Sequence, residues 1–262
     1  MNDESRIDLR NYPHSPQQRI AVSSSTEQAS ADALHIMFCG GFHSDMSGTK
    51  ATALQAYCQE HGWAYTRFDY RGHGQSDGEA AEFSLQDWLA DTLAVFDECN
   101  RPTILIGSSM GAWLATLVAL RRRPFVSGLL LLAAAPDFLQ ELIEPELDPS
   151  ALWDLQQGKA VELPARYDRP VPITQALLDS GRQLSLLDDS QADKLTCPLI
   201  LLHGTGDDDV PYTLSIRLME QHASDNAVLK LLNGADHRLS DSNSLTQMYN
   251  ALQEIAAQAS RS

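Results

Sequence analysis

Ile106-Gly107-Ser108-Ser109-Met110-Gly111-Ala112 carries the strongest structural signal in this chain. Before it, residues 102–106 form a short β-branched run that reads as a buried parallel strand. After it, residues 113–121 are apolar at helical spacing and are closed by Arg121, Arg122 and Arg123 ahead of Pro124. Strand, Gly-x-Ser-x-Gly, helix is the context of a nucleophile elbow. The turn is so sharp that its serine takes strained backbone angles, and the flanking glycines avoid collisions that a Cβ would cause. Ser109 then stands at the positive end of the following helix. A Gly-Ser turn can also be a plain helix N-cap, so the pattern needs support from the rest of the chain.

Bulk composition sets limits. With 262 residues, 43% of them hydrophobic, the chain can bury one large core and carry an inserted element. A net charge of -16 disfavours nucleic acid and anionic membranes as partners. Cys39, Cys58, Cys99 and Cys197 form no CxxC pair, so buried, reduced thiols are expected. The first residues hold no apolar secretory core, and the longest apolar run, 129–136, is too short to span a bilayer. No membrane span and a cytoplasmic location are therefore expected. The eight histidines show no metal-ligand spacing, residues 41–50 lack the Gly-Lys-Ser/Thr of a P-loop, and Gly72-His-Gly74 leads into a loop rather than a helix. No metal and no cofactor are expected.

Outward from the elbow, strand-like and helix-like runs alternate. Residues 18–23 suggest an edge strand, and 33–39 a buried one ending in Gly40-Gly41-Phe42-His43. A helix is predicted over 49–61, stopped by Gly62, then a strand over 64–68 and a loop over 69–78. Ser84-Leu-Gln-Asp87 reads as a capping box opening a helix to about residue 98. Past the elbow, the pattern predicts strands over 128–134, 198–203 and 228–232 and helices over 212–222 and 242–258. This rhythm means α/β: a mostly parallel central sheet with helices on both faces. Residues 137–196 interrupt it. The expected organisation is a core of 1–136 and 197–262 with 137–196 inserted as a lid at the carboxyl edge of the sheet.

A serine nucleophile needs a base, an orienting carboxylate and an oxyanion hole. After an elbow the partners follow in the order Ser, Asp, His, each at the end of a later strand. Asp207 leaves the strand at 198–203 and His237 the strand at 228–232, with Asp208 and Asp209 as alternatives to Asp207. The oxyanion donors expected are the main-chain N–H groups of Met110 and Phe42, with Gly41 the alternative to Phe42. Asp69 and Arg71 read as braces of a loop.

Together Gly41-Phe-His-Ser-Asp-Met-Ser-Gly-Thr-Lys-Ala51, Phe68-Asp-Tyr-Arg-Gly-His-Gly-Gln-Ser-Asp-Gly78, Gly107-Ser-Ser-Met-Gly111 and Leu202-His-Gly-Thr-Gly-Asp-Asp-Asp-Val-Pro211 carry a resemblance. Over essentially the whole chain they resemble the α/β-hydrolase superfamily, in the branch of palmitoyl-protein thioesterases, acyl-glucuronide esterases and bacterial carboxylesterases. The resemblance implies an α/β-hydrolase fold and a catalytic triad on Ser109, Asp207 and His237, the last followed by Arg238. It implies a serine hydrolase of carboxylic acyl esters or thioesters that works through an acyl-enzyme, without a cofactor. The partner is then a small-molecule acyl ester or thioester, or an acylated protein. Gly41, His43, Trp153, Tyr167 and Arg169 are candidates for the substrate pocket. Leu142, Ile143, Leu147, Leu152 and Leu155 either line it with Trp153 or pack the insert onto the core. The same triad would serve a C–C bond hydrolase or a perhydrolase, and the same scaffold a silent binding protein.

Overall fold

The computed structural model describes residues 4–8, 18–25, 30, 33–163, 171–188, 194–222 and 227–259. In chain order the elements are β1 (Glu4–Asp8), β2 (Arg19–Ser24), β3 (His35–Cys39), α1 (Thr49–Glu60), β4 (Ala64–Phe68), α2 (Leu85–Cys99), β5 (Thr103–Ser108), α3 (Met110–Arg121) and β6 (Val126–Leu132). There follow α4 (Pro149–Gln156), β7 (Val161–Leu163), β8 (Val171–Ile173), α5 (Gln175–Gln183), β9 (Leu199–Gly204), α6 (Thr213–His222), β10 (Ala227–Leu232) and α7 (Ser242–Ala259). Eight strands form one sheet in the order β1-β2-β4-β3-β5-β6-β9-β10. From β4 to β10 every neighbouring pair is parallel, whereas β1 and β2 run antiparallel at one side. This is the α/β-hydrolase fold expected from the sequence.

The central strands β3, β4, β5 and β9 are buried along their whole length because both faces of the sheet are covered. Successive side chains still alternate between faces. In β5, Leu105 packs with α2 and α3, whereas Ile104 and Ile106 pack with α1 and α7. In β6 and β9, Leu129, Leu131, Leu199 and Leu201 join the first cluster, and Leu130, Leu132, Ile200 and Leu202 the second. Helix α2 begins where its capping box places it: the Ser84 hydroxyl accepts from Asp87 N–H, and the Asp87 carboxylate accepts from Ser84 N–H.

One expectation changes. The strand predicted at 18–23 is β2, and it is not an edge, because β1 pairs along its outer side. The short polar run that makes β1 has no apolar alternation to announce it. The insert between β6 and β9 interrupts the strand–helix rhythm with short elements of its own. It holds a π-helical turn (Leu139–Ile143), a 3-10 turn (Glu144–Glu146), α4, the antiparallel pair β7–β8 and α5. Its start and end are clasped together by buried Asp137, whose carboxylate accepts from the Ser185 hydroxyl at 2.5 Å and from the N–H groups of Leu186 and Leu187 at 2.9 Å. Arg217 of α6 adds a two-bonded ion pair with Glu141, at 2.7 and 2.8 Å. Among the described residues no helix is long and apolar enough to cross a membrane. The four cysteines are free thiols, with Cys39, Cys58 and Cys197 buried.

Candidate active site

The turn from β5 into α3 holds Ser109 at φ 55 and ψ -119, a conformation uncommon for a residue with a side chain. Its backbone is held on both sides: Ser109 N–H donates to Leu132 O at 2.9 Å, and Ser109 O accepts from Ala112 N–H at 2.9 Å. Glycine is required at both flanks. A Cβ on Gly107 would lie 2.4 Å from Gly111 O, and one on Gly111 would lie 2.2 Å from Cys39 O. With a side chain at either position α3 could not seat directly over β3 and β5.

His237 arrives from the far side of the sheet, on the loop after β10. That loop is stitched to the one after β9: Gly234 N–H donates to the Thr205 hydroxyl at 2.8 Å, and Gly206 N–H to Ala235 O at 3.1 Å. Lys50 at the start of α1 adds a hydrogen bond from Nζ to Arg238 O. Burial pulls this ammonium down to about 8, a shift that Asp236 opposes and Arg238 reinforces. His237 Nε2 stands 3.1 Å from Ser109 Oγ, and Nδ1 stands 2.8 Å from Asp207 Oδ2.

Asp207 accepts four hydrogen bonds. Its Oδ2 takes His237 Nδ1–H and His203 Nε2–H, at 2.8 and 3.0 Å; its Oδ1 takes Asp209 N–H and Val210 N–H, at 3.0 and 2.7 Å. Burial alone would raise this carboxyl. The hydrogen bonds from His203 and His237, the charge of His237 and the Val210 N–H outweigh it and hold the group well below the usual carboxylate range. A carboxylate only accepts, so the proton of neutral His237 sits on Nδ1 and Nε2 presents a lone pair to Ser109. The arrangement can take a proton from Ser109 and give it back. Asp207, Asp209 and His237 also form the one group with metal-like spacing among the described residues, their ligand atoms lying within 4.8 Å. Four protein donors already engage the Asp207 oxygens.

The loop after β3 passes beside the serine: a Cβ on Gly41 would sit 3.3 Å from Ser109 Cβ. Neither Phe42 N–H nor Met110 N–H makes a hydrogen bond among the described residues. The Phe42 ring packs against His43, Trp88 and Phe138, with centroids 4.4, 5.4 and 5.6 Å away. Phe138, at the start of the insert, in turn meets Trp113 edge-on. The two expected braces do hold loops. Asp69 accepts from Met46 N–H at 2.7 Å and Gln75 N–H at 2.9 Å, joining the loop after β3 to the loop after β4. Arg71 pairs with Asp91 of α2 at 2.7 Å, both side chains buried.

The structure thus brings Ser109, Asp207, His237, Gly41, Phe42, His43 and Met110 into one neighbourhood. Trp153 is 62% exposed on α4 and outside the apolar core, with Leu152 exposed beside it. Leu147 and Leu155 are core residues, and Leu142 and Ile143 pack against that core. Tyr167 and Arg169 lie outside the described residues. His203 was not singled out from the sequence, although it stands inside the motif Leu202-His-Gly. Its ring is fully buried, with Nδ1 on the Ser215 hydroxyl at 2.7 Å. A strand-end histidine facing back toward a loop leaves no mark in residue spacing.

Comparison with known proteins agrees with this fold. The chain matches the Alpha/beta hydrolase family over residues 34–248. It is 32% identical over 216 residues to the mitochondrial palmitoyl-protein thioesterase ABHD10 of Rattus norvegicus, covering 79% of this chain and 69% of the relative. Among solved structures, a protein of Agrobacterium vitis S4 whose assignment goes no further than hydrolase superposes with a TM-score of 0.90 at 32% identity, over 97% of this chain and 99% of its own. The mouse alpha/beta hydrolase domain-containing protein 10 superposes with a TM-score of 0.85 at 27% identity, over 98% and 99%.

Proposed function

The chain belongs to the alpha/beta hydrolase family, and from that premise we propose that it is a serine hydrolase of carboxylic acyl esters or thioesters. The observation that carries the proposal is the unbroken chain from Ser109 Oγ through His237 to Asp207, at 3.1 and 2.8 Å, assembled from the ends of three strands. In this reading Ser109 attacks the acyl carbonyl while His237 Nε2 takes its proton. Asp207 keeps the ring in the Nδ1–H tautomer and stabilises the imidazolium that forms. The tetrahedral oxyanion is met by the N–H groups of Phe42 and Met110, which make no hydrogen bond among the described residues. The imidazolium then protonates the departing alcohol or thiol. Water, activated by the same ring, releases the acid from Ser109.

The insert, residues 137–196, serves as the lid in this proposal, with Phe138 packed on Phe42 at the edge of the site. The name of the rat relative puts a palmitoyl thioester among the first substrates to try. It also names a mitochondrial protein, whereas we place this chain in the cytoplasm; fractionation of expressing cells decides between the two.

The test is a matched hydrolysis series on purified protein: p-nitrophenyl esters from acetate to palmitate, a palmitoyl thioester and an acyl glucuronide, each with Ser109→Ala alongside. Turnover should fall by a factor of about 10³ or more in Ser109→Ala, with the melting temperature retained. Hydrolysis near the wild-type rate in that variant overturns the proposal. Serine-dependent cleavage of a diketone, with none of any acyl probe, would assign C–C hydrolysis instead.

A further inference from the structure

An oxyanion donor acts only if it already points at the place where charge will develop. For Phe42 N–H that direction is set outside Phe42 itself. A planar peptide couples each carbonyl to the next residue's N–H, so whatever holds Gly41 C=O also aims Phe42 N–H the opposite way. Gly41 O accepts two hydrogen bonds from one residue, Ser44: its hydroxyl at 2.7 Å and its N–H at 3.2 Å. The following peptide is held from another loop, where His73 Nε2 accepts His43 N–H at 3.2 Å. The preceding one is held by the Tyr70 hydroxyl, which donates to Gly40 O at 3.1 Å. Three successive peptide planes around the donor are each fastened by a side chain.

The segment needs such fastening. It contains two adjacent glycines, and His43 sits at φ 55, uncommon for a residue with a side chain. His73 suits the task because its own state is determined. Its Nδ1 lies 3.2 Å from Arg71 O, an acceptor, so the proton is there and Nε2 carries the lone pair that His43 N–H requires. The ring is buried, with Trp88 and Tyr70 edge-on at 5.1 and 5.6 Å. Burial first, and the neighbouring His43 second, pull its pKa down to about 4 against the bond to Arg71 O. The ring is therefore neutral at neutral pH. Arg71 is in turn tied to α2 through Asp91, which accepts its N–H at 2.9 Å and its Nε–H at 2.7 Å.

We propose that Ser44 and His73 are positioning residues of the oxyanion hole, holding the peptide units on either side of Phe42 so that its N–H faces the carbonyl bound at Ser109. This rests on the proposed acyl-enzyme chemistry and adds to it the groups that aim one donor.

The experiment compares Ser44→Ala, His73→Leu and His73→Gln with wild type and Ser109→Ala on a p-nitrophenyl ester, with binding of a trifluoromethyl ketone as the mimic of the tetrahedral adduct. Loss of a whole oxyanion donor costs about 10²–10³ in rate; a donor left in place but poorly aimed should cost about tenfold. Ser44→Ala and His73→Leu should lose that factor in kcat, with KM within about twofold, and should lose the same factor in affinity for the ketone. His73→Gln should recover most of the loss, since its amide oxygen can reach the position of Nε2 and accept His43 N–H. Ser44 is exposed, so its alanine variant tests the proposal even if His73→Leu folds poorly. Ser44→Ala with unchanged kcat and ketone affinity, beside an inactive Ser109→Ala, overturns this inference alone. Persistent turnover in Ser109→Ala overturns the acyl-enzyme reading and this inference with it.

Discussion

Replacing Asp207 by asparagine changes one atom and should disable the site, through a sequence of hydrogen-bond constraints visible in the structure. All four partners of the carboxylate are donors. An asparagine amide has one oxygen and one NH2, so one end must face donors with donors. The backbone N–H groups of Asp209 and Val210, at 3.0 and 2.7 Å, cannot reverse their polarity. Leaving them unpaired in a buried site costs about 1–3 kcal/mol each, so the amide oxygen turns to them. The NH2 then faces the two histidine rings. His237 must present Nδ1 as an acceptor, which moves its proton to Nε2, the nitrogen 3.1 Å from Ser109 Oγ. A ring that already carries a proton there cannot accept the one on the serine. His203 fares no better, because turning Nε2 into an acceptor sets it against Val210 O at 3.0 Å.

The same change in a Ser-His-Asp triad lowers kcat by about 10⁴, equivalent to ~5 kcal/mol of transition-state stabilisation. That is the loss expected here on a p-nitrophenyl ester near neutral pH. Asp208→Asn, at an exposed side chain, should stay within about twofold of wild type. Stability supplies a second reading. The folded-state pKa of Asp207 is depressed, so its ionisation stabilises the fold above the unfolded value near 3.8 and that contribution disappears as pH falls below it. The stability gap between wild type and Asp207→Asn should therefore be full at pH 7 and shrink below pH 4. Asp207→Asn retaining more than a tenth of wild-type kcat, or Asp208→Asn losing as much, would refute the tautomer argument.

Two further outcomes follow from buried groups and close contacts. His35 bridges Thr103 and Thr66 across three strands at 2.9 and 3.0 Å; burial, then Arg101, lower its pKa from 6.5 to about 4. The folded state thus keeps this ring neutral, a contribution complete above pH 6.5 and lost as pH falls toward 4, and worth about 3 kcal/mol. In urea titrations the gap between wild type and His35→Asn should narrow by that amount from pH 7 to pH 4; a constant gap would show a ring that titrates normally. Gly111→Ala places a methyl 2.2 Å from Cys39 O and 2.4 Å from Gly40 O, both backbone atoms that cannot step aside. It should cost about 3 kcal/mol in the same assay and take activity with it, and an unchanged urea midpoint would mean that α3 is not seated so tightly.

Much of this molecule is written in local sequence. Largely apolar runs at 102–106 and 198–203 mark buried parallel strands, and Ser84 with Asp87 marks the start of α2, because burial on two faces and end-capping act over a few residues. Gly107 and Gly111 bracket Ser109 because only hydrogen fits where two elements touch. The order Ser109, Asp207, His237 was readable because each residue follows a strand of one parallel sheet, whose carboxyl ends all lie on one side. β1 escaped notice because a polar strand takes its stability from pairing with β2 rather than from its own pattern. The elements inside the insert did so because they are short and lean on the core, and a turn or two of helix carries little periodicity. Tertiary structure alone decided which partner each of these side chains meets: the Asp207 carboxylate for His203, the His43 N–H for His73, the Arg238 carbonyl for Lys50. Those bonds join loops separated in the chain, or reach back from a strand end into its own loop. Their partners are selected by where the sheet sets each loop down, and no spacing between residues encodes that.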